Sequence, residues 1–175
     1  MSLDKDKEPL VGFRYGVSIV PENQIKGASE GGNAANIIGS AISTSEEVSF
    51  SEISGFSATL ETEDIEAGGD NYFHLPRQIK FSPLVLKRGF TNAASELVRW
   101  VSGIIFTESV GKEILTMSVI VKLLNEENDP LVYWVFNGAF PTKWSTSGLK
   151  AMTNELVIEE IELKYKFFYP VFLPF

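Results

Sequence analysis

Cysteine is absent from the 175-residue chain, and histidine occurs once, at His74. Without thiols there is neither a disulfide framework nor a thiolate metal site. A catalytic histidine needs a nucleophile or an orienting carboxylate beside it in a cleft, and no local pattern supplies one, so His74 reads as structural or solvent-exposed. Positive charge is also scarce: 15 basic against 23 acidic residues give a net charge of −8 and a pI near 4.7. Nucleic-acid binding by phosphate neutralisation requires a basic face that this composition does not offer. No apolar run reaches the roughly 18 residues of a membrane span, and the first ten residues, MSLDKDKEPL, lack an apolar signal core. These absences predict a soluble, cytoplasmic protein with no stable membrane association.

The remaining motifs of chemistry are missing in the same way. Glu61, Glu63, Asp64 and Glu66 form an acidic run. Glu61 and Glu63 alternate along one strand face, which is the pattern of a solvated or interface surface more than of a divalent-metal site. Residues 125–129 lack the Asp-x-Asp-x-Asp-Gly spacing of a calcium loop. Glu30-Gly31-Gly32-Asn33 has too few glycines for a phosphate cradle and no following Lys-Ser/Thr pair. Trp100, Trp134 and Trp144 read as core or rim residues. No catalytic, cofactor-binding or metal residue is predicted, and the chain is not expected to be an enzyme.

What the sequence does contain is a large apolar fraction, 44%, with 13 phenylalanines, enough for one well-filled domain. Alternation of Phe13, Tyr15, Val17 and Ile19 predicts a half-buried first strand ending at Pro21. Residues 22–46 are rich in Gly, Ala, Ser and Asn and are longer than an ordinary connection, which predicts a functional loop. Val48–Ser57 and Ala58–Ala67 read as two successive strands or as one long strand bent near Gly55, followed by a turn at Gly68-Gly69-Asp70-Asn71. Gln78–Lys87 returns as a strand in which Pro83 is tolerable only at an edge or bulge. One short helix is predicted at Ala93–Ser102, capped by Thr91 or Asn92, with Leu97, Trp100 and Val101 as its apolar stripe and Gly103 closing it. Ile114–Leu124, with Leu115, Met117, Val119, Val121 and Leu123 facing in, pairs with Leu131–Asn137 through a hairpin. A last strand spans Glu155–Phe167: Val157, Ile161, Leu163, Tyr165 and Phe167 share one face, and Glu160, Glu162, Lys164 and Lys166 the other. Many strands and one helix predict a mainly β protein, an antiparallel barrel or sandwich with one flanking α-helix.

Two features fit poorly with an isolated monomer. The tail at 168–175 is apolar and carries Phe172 and Phe175; an exposed aromatic tail must be covered, by its own core or by a partner. Its prolines are expected to prevent a regular strand. The long strand ladder also leaves edges that must be paired or blocked, for which ring closure between subunits is one solution. Ile37, Ile38 and Ile42 in the 22–46 loop are hard to leave in water and point to ordering against a neighbour, while the composition of the loop fits a mobile surface insertion equally well.

A family resemblance joins these features. Phe13-Arg14-Tyr15-Gly16-Val17, Phe50-Ser51-Glu52-Ile53-Ser54-Gly55-Phe56, Glu61-Thr62-Glu63, Gly68-Gly69, His74-Leu75-Pro76 and Leu86-Lys87-Arg88-Gly89 occur in order. Trp134-Val135-Phe136-Asn137-Gly138-Ala139-Phe140-Pro141-Thr142-Lys143-Trp144, Asn154-Glu155 and Ile158-Glu159-Glu160-Ile161-Glu162-Leu163 follow. Together they resemble the inner-tube proteins of contractile phage tails and phage-derived injection systems, over residues 13–167. The resemblance implies an N-terminal extension at 1–12, a tail-tube-like domain at 13–167 with a 22–46 insertion, and the tail at 168–175. It implies six copies closing into a ring, with rings stacking into a tube that conducts DNA or protein effectors. Implied partners are other copies of the chain, sheath subunits, baseplate or tube-initiator proteins and terminators.

On that footing the residues acquire expected roles. Glu61, Glu63 and Asp64, with Lys87 and Arg88 of opposite charge, are expected at contacts between rings or with a sheath, and Ile37, Ile38, Ile42, Phe172 and Phe175 at contacts between subunits. Glu160, Glu162, Lys164 and Lys166 are expected on the lumen or outer wall. Copies at −8 each predict an acidic wall that would keep nucleic acid from adhering. The competing expectation from another class is a stand-alone ligand-binding β-barrel, monomeric and with a lined cavity.

Overall fold

The structure is a computed structural model and describes residues 14–28, 33–66, 72–91, 95–107, 113–148 and 156–173. The 1–12 extension, Phe13, the Gly68–Asn71 turn, Asn92, Ala93, Asn154, Glu155 and Phe175 lie outside the described residues. The elements in chain order are β1 (Arg14–Val20), α1 (Ala34–Ser43), β2 (Glu47–Phe50), β3 (Glu52–Ser54), β4 (Ala58–Glu66) and β5 (Tyr72–Phe81). After them come β6 (Leu84–Gly89), α2 (Glu96–Phe106), β7 (Met117–Leu124), β8 (Pro130–Thr146), β9 (Ile158–Lys164) and β10 (Phe167–Phe172).

All strand pairs are antiparallel, and the main sheet runs β2-β1-β7-β8-β9-β6-β3. Its two end strands are neighbours in sequence, separated only by Ser51, whose N–H donates to the Lys87 carbonyl at 3.0 Å. The sheet therefore curls back on itself in a barrel-like way, matching the predicted mainly antiparallel architecture. The 17-residue strand β8 is its spine: its first half pairs with β7 and β10, and its second half with β9. Gly138, at a φ of 62°, marks the changeover, and the chain bends out at Tyr165–Lys166 opposite it. The single final strand expected from Glu155 to Phe167 is thus two strands sharing one edge of β8.

Two cores lie on opposite faces of this sheet. The first holds Val17, Phe50, Leu86, Leu97, Val101, Val121, Phe136, Ile161 and their neighbours, with α2 packed against it. The second holds Val20, Ile25, Ile38, Ala41, Ile120, Tyr133, Val135 and Val171 beneath α1. The second core corrects three expectations. Residues 22–46 are not a plain loop: Glu22–Ile25 forms a 3-10 turn and Ala34–Ser43 a second helix. The first strand is not half-buried, because α1 covers the face that carries Ser18 and Val20. The tail is a strand after all, with Pro170 opposite Trp134 at an edge where its missing N–H breaks no ladder.

The single predicted helix is α2, shifted C-terminally. Ser95 caps it, accepting from the Val98 N–H at 3.3 Å, and Gly103 lies inside it instead of ending it. Leu97 and Val101 are buried as expected. Leu115 was expected to face in, but it precedes β7 and is exposed, its carbonyl accepting from Trp100 Nε1 at 3.1 Å.

An aromatic cluster joins the two halves of the barrel. Phe136 stacks on Phe168 at 5.3 Å and meets the edge of Tyr165 at 4.9 Å, and Phe56 contacts Trp134, Phe136 and Phe168. Edge-to-face and offset pairs of this kind add roughly 0.5–1.5 kcal/mol each beyond area burial. Within it the Tyr165 hydroxyl donates to the Ser82 carbonyl at 2.7 Å, and burial pushes its phenol up from 10.0 to about 12.

Because the folded state holds Tyr165 protonated more tightly than the unfolded chain does, this contribution is present below pH 10.0 and lost as pH rises toward about 12. Urea unfolding of the wild type should weaken across that window, and Tyr165→Phe should show a shallower pH slope. Tyr133 and Tyr169 are raised in the same direction by burial, so a residual slope remains. Identical slopes for both proteins would contradict the assignment.

Candidate assembly surfaces

The functional surface begins where the sheet leaves its own core. Beyond β3 and β6 the ladder continues as a separate two-stranded ribbon, β4 paired with β5 from Ala58–Phe81 out to Glu66–Tyr72. Two features aim it. Gly55 at a φ of 85° turns the chain, and a Cβ there would come within 2.4 Å of the Pro83 carbonyl oxygen. At the base, the Ser82 N–H donates to the Ser57 carbonyl at 3.1 Å, and the Ser57 and Ser82 hydroxyls meet at 2.7 Å. The ten-residue β5 spans about 33 Å at the usual rise per residue.

On this ribbon Glu61, Glu63 and Asp64 are paired across the strands. Glu61 lies 2.5 Å from Lys80 Nζ and accepts from Gln78, which lowers its carboxyl below the ordinary range, first through the Lys80 bond. Glu63 faces Arg77 at 3.8 Å, and Asp64 meets His74 Nδ1 at 2.5 Å. The apolar side chains are left open to solvent: Leu60, Ile65, Phe73, Leu75 and Ile79 are 45–61% exposed.

The Lys87-Arg88 corner divides in two. Lys87 points outward to Glu52 at 2.8 Å, whereas Arg88 points inward, 9% exposed, and its Nε donates to Glu159 at 2.6 Å. Glu159, 2% exposed, also accepts from Trp144 Nε1 at 2.8 Å, and the Arg88 guanidinium lies 5.6 Å from the Phe50 ring centre. Arg88 is thus a core residue and is not presented to a partner. Glu159 is given no separate role by the sequence motif that contains it, yet it shares parity with Val157, Ile161 and Leu163, as Arg88 does with Leu84 and Leu86, and parity alone sends both inward.

The opposite face of the same strands is polar. Register aligns Glu52 on β3, Lys87 on β6 and Glu160 on β9, and Lys143 on β8 closes the row by an ion pair to Glu160 at 2.7 Å. The Lys143 bond holds Glu160 low, and Glu160 in turn holds Lys143 high; Lys87 is raised first by Glu52. Glu162, accepting from Thr142, and Lys164 lie on the same face, and the stem of Lys166 lies over Gly138. Glu52, Glu160 and Glu162 are balanced there by Lys87, Lys143 and Lys164, so the acidic wall expected from net charge is not found on this face.

The remaining expected contact residues divide the same way. Ile38 is fully buried in the second core and covered by the chain itself, whereas Ile37 and Ile42 pack against that core and stay partly exposed. In the tail, Val171 is buried and Phe168 joins the aromatic cluster, while Phe172 is 71% exposed. Phe90 and Phe106 border a shallow pocket of about 290 Å³ with Trp144. A groove of about 630 Å³ runs beside Arg14, Tyr15, Ser49 and Leu124, and its buried Lys122 is paired with Glu47. Phe136, Leu86 and Ile161 fill the interior of the barrel, which gives no support to a lined ligand cavity. Among the described residues no His, Asp and Glu are grouped to hold a metal ion.

Two substitutions test how the ribbon and its base are held. Gly55→Ala should cost at least about 1–2 kcal/mol in urea unfolding, the usual penalty of a side chain in a left-handed conformation, and an unchanged midpoint would contradict the strained turn. Arg88→Met should cost about 3–5 kcal/mol by leaving Glu159 buried without its cation. Arg88→Met with Glu159→Leu should recover most of that loss; a double variant less stable than the single one would show that the pair stabilises the fold outright.

Residues 12–168 match the family described as T4-like virus tail tube protein gp19. No curated protein matches the sequence significantly. Among solved structures, a chain of the anti-feeding prophage (AFP) baseplate, 6-fold symmetrised, is 28% identical with a TM-score of 0.72, over 94% of this chain and 97% of that one. A chain of the PVC sheath-tube complex of an extracellular contractile injection system in its extended state has 19% identity and a TM-score of 0.71, over 98% and 100%. Hcp1 from Flavobacterium johnsoniae shares the fold more distantly, at 12% identity and a TM-score of 0.52, over 90% and 94%. With the family match spanning nearly the whole chain, the protein belongs to the T4-like tail tube family and is a structural tube subunit of a phage tail or tail-like contractile particle.

Proposed function

We propose that six copies of this chain close into a ring and that the rings stack into the inner tube of a contractile particle. The observation that carries this reading is the β4–β5 ribbon, whose apolar side chains are solvent-exposed on a chain that otherwise fills its cores. A two-stranded ribbon is at best marginal in water by itself, and exposed apolar surface on this scale marks an interaction site. Six-fold order is supported by the symmetrised AFP baseplate structure, which contains the 28%-identical relative. Sheath subunits and tube-terminating proteins are the partners of the same reading, by analogy with sheath–tube and terminator structures of related particles.

The polar face that carries Glu52, Lys87, Glu160 and Lys143 lines the lumen. Its charges are satisfied across strands, so a cargo of DNA or protein meets a wall with few unpaired charges to hold it. The role is mechanical: the tube is a rigid conduit driven by a contracting sheath, and no side chain acts on a substrate.

Negative-stain microscopy of the purified protein should show six-fold rings and stacked tubes; a monodisperse monomer at high concentration would overturn the reading. Since the chain has no cysteine, Glu162→Cys gives a unique probe of the wall. In assembled tubes a small maleimide should label it, and a maleimide on a large polymer should not. Equal labelling by both would put this face on the outside.

A further inference from the structure

The groove of about 630 Å³ begins where the second core ends, at Tyr133, and lies outside the filled interior of the barrel. Its volume falls within the roughly 300–1,000 Å³ of small-molecule sites. Register builds its floor: Ser49 pairs with Gly16, Gly16 with Lys122 and Lys122 with Tyr133, one row across β2, β1, β7 and β8. A Cβ at Gly16 would collide with the Glu47 carboxylate, which crosses that position to reach Lys122. In the next row Arg14 pairs with Leu124. The Arg14 Nη1 donates to the Asn128 side chain at 2.7 Å, which draws the guanidinium toward the β7–β8 hairpin.

The charges in this groove do not cancel. Glu47 is matched by the buried Lys122, whereas Arg14 is held by a neutral amide and has no carboxylate partner among the described residues. Tyr133 is 7% exposed and lines the groove, and among the described residues nothing accepts a hydrogen bond from its hydroxyl. Burial, and then the Glu47 charge, push its phenol above the ordinary 10.0, so at neutral pH it is a donor.

We infer that this groove binds a small organic acid carrying one carboxylate on an apolar body. The Arg14 guanidinium and the Tyr133 hydroxyl donate to the carboxylate, the first as a charge-assisted bond, and Leu124 and Pro130 take the apolar body. One unmatched cation suits a monoanion. A phosphate dianion would bring a second charge, with only the Glu47-matched Lys122 to receive it. An ammonium ligand finds no free carboxylate, because Glu47 is already engaged. The site does not depend on the tube reading.

The test is an NMR titration of the dispersed chain with benzoate, phenylacetate and hexanoate, and with the amides of the same acids. At least one acid should bind saturably with a Kd of about 10 mM or tighter, as expected for ligands of this size. Its amide, and inorganic phosphate, should bind about tenfold more weakly or worse. Shift changes in the wild type should centre on Arg14, Leu124 and Tyr133, which locates the site without any variant. Arg14→Gln should weaken binding about tenfold, and Tyr133→Phe severalfold, with unfolding midpoints close to that of the wild type. No saturable binding by any of the three acids, or equal affinity for acid and amide, would overturn the proposal. Shifts confined to other parts of the chain, or wild-type affinity in Arg14→Gln, would overturn it as well.

Discussion

A two-stranded ribbon has two faces and no core, and the organisation of this protein follows from how that constraint is handled. Elsewhere the sheet is covered on one side by its own interior and α2 and, across β1, β7, β8 and β10, on the other by α1. Past Phe56 and Phe81 the described ladder residues are exposed, apart from a half-buried Glu61. The pairs that hold the ribbon together are cross-strand hydrogen bonds and exposed ion pairs, each weak in water. In the proposed tube, contact with other copies would give the ribbon its defined state and make folding of this element and assembly of the tube one process.

The base of the ribbon has to be rigid for that to work, and the structure concentrates specific chemistry there. Phe56 and Phe81 pack into the aromatic cluster with Phe168 and Tyr165, so the first residues beyond the barrel are fixed by the barrel's own core. Below them, the buried Arg88–Glu159–Trp144 network ties β6, β9 and β8 together. A buried ion pair of this sort contributes little net stability but penalises any register that leaves one charge alone. On the other face of the same strands, Glu52, Lys87, Glu160 and Lys143 make a row whose signs alternate from strand to strand, which discourages slippage in the same way.

Much of this was legible in the sequence. The alternation of Val17 and Ile19, of Val119 and Val121 and of Ile161 and Leu163 marks the inner faces, and the order of motifs marks the family. The misses have physical causes. Helix α1 reads AANIIGSAIS, has no side-chain cap, and owes its existence to burial of Ile38 and Ala41 against the sheet, a tertiary gain that local propensity does not register. The same helix explains why Ser18 and Val20 are buried when alternation predicted an open face. Pro170 argued against a strand, but an edge position removes the objection. The Lys87-Arg88 pair looked like one basic corner, yet adjacent residues on a strand point to opposite faces, and only one of them reaches solvent. In the ribbon, Phe73, Leu75 and Ile79 share sequence parity and so read as one apolar face, but an extra residue on β5 at the Glu61/Thr62 register shift puts Ile79 on the face opposite Phe73 and Leu75.

The central claim is that the ribbon acquires its stability from neighbouring copies. Hydrogen–deuterium exchange of the β4 and β5 amides, compared between dispersed chains and assembled tubes, tests it most directly. The account predicts rapid exchange from Ala58–Glu66 and Tyr72–Phe81 in the dispersed chain and strong protection in the tube, with β7 and the first half of β8 protected in both. Equal protection of the ribbon in the two states would contradict it.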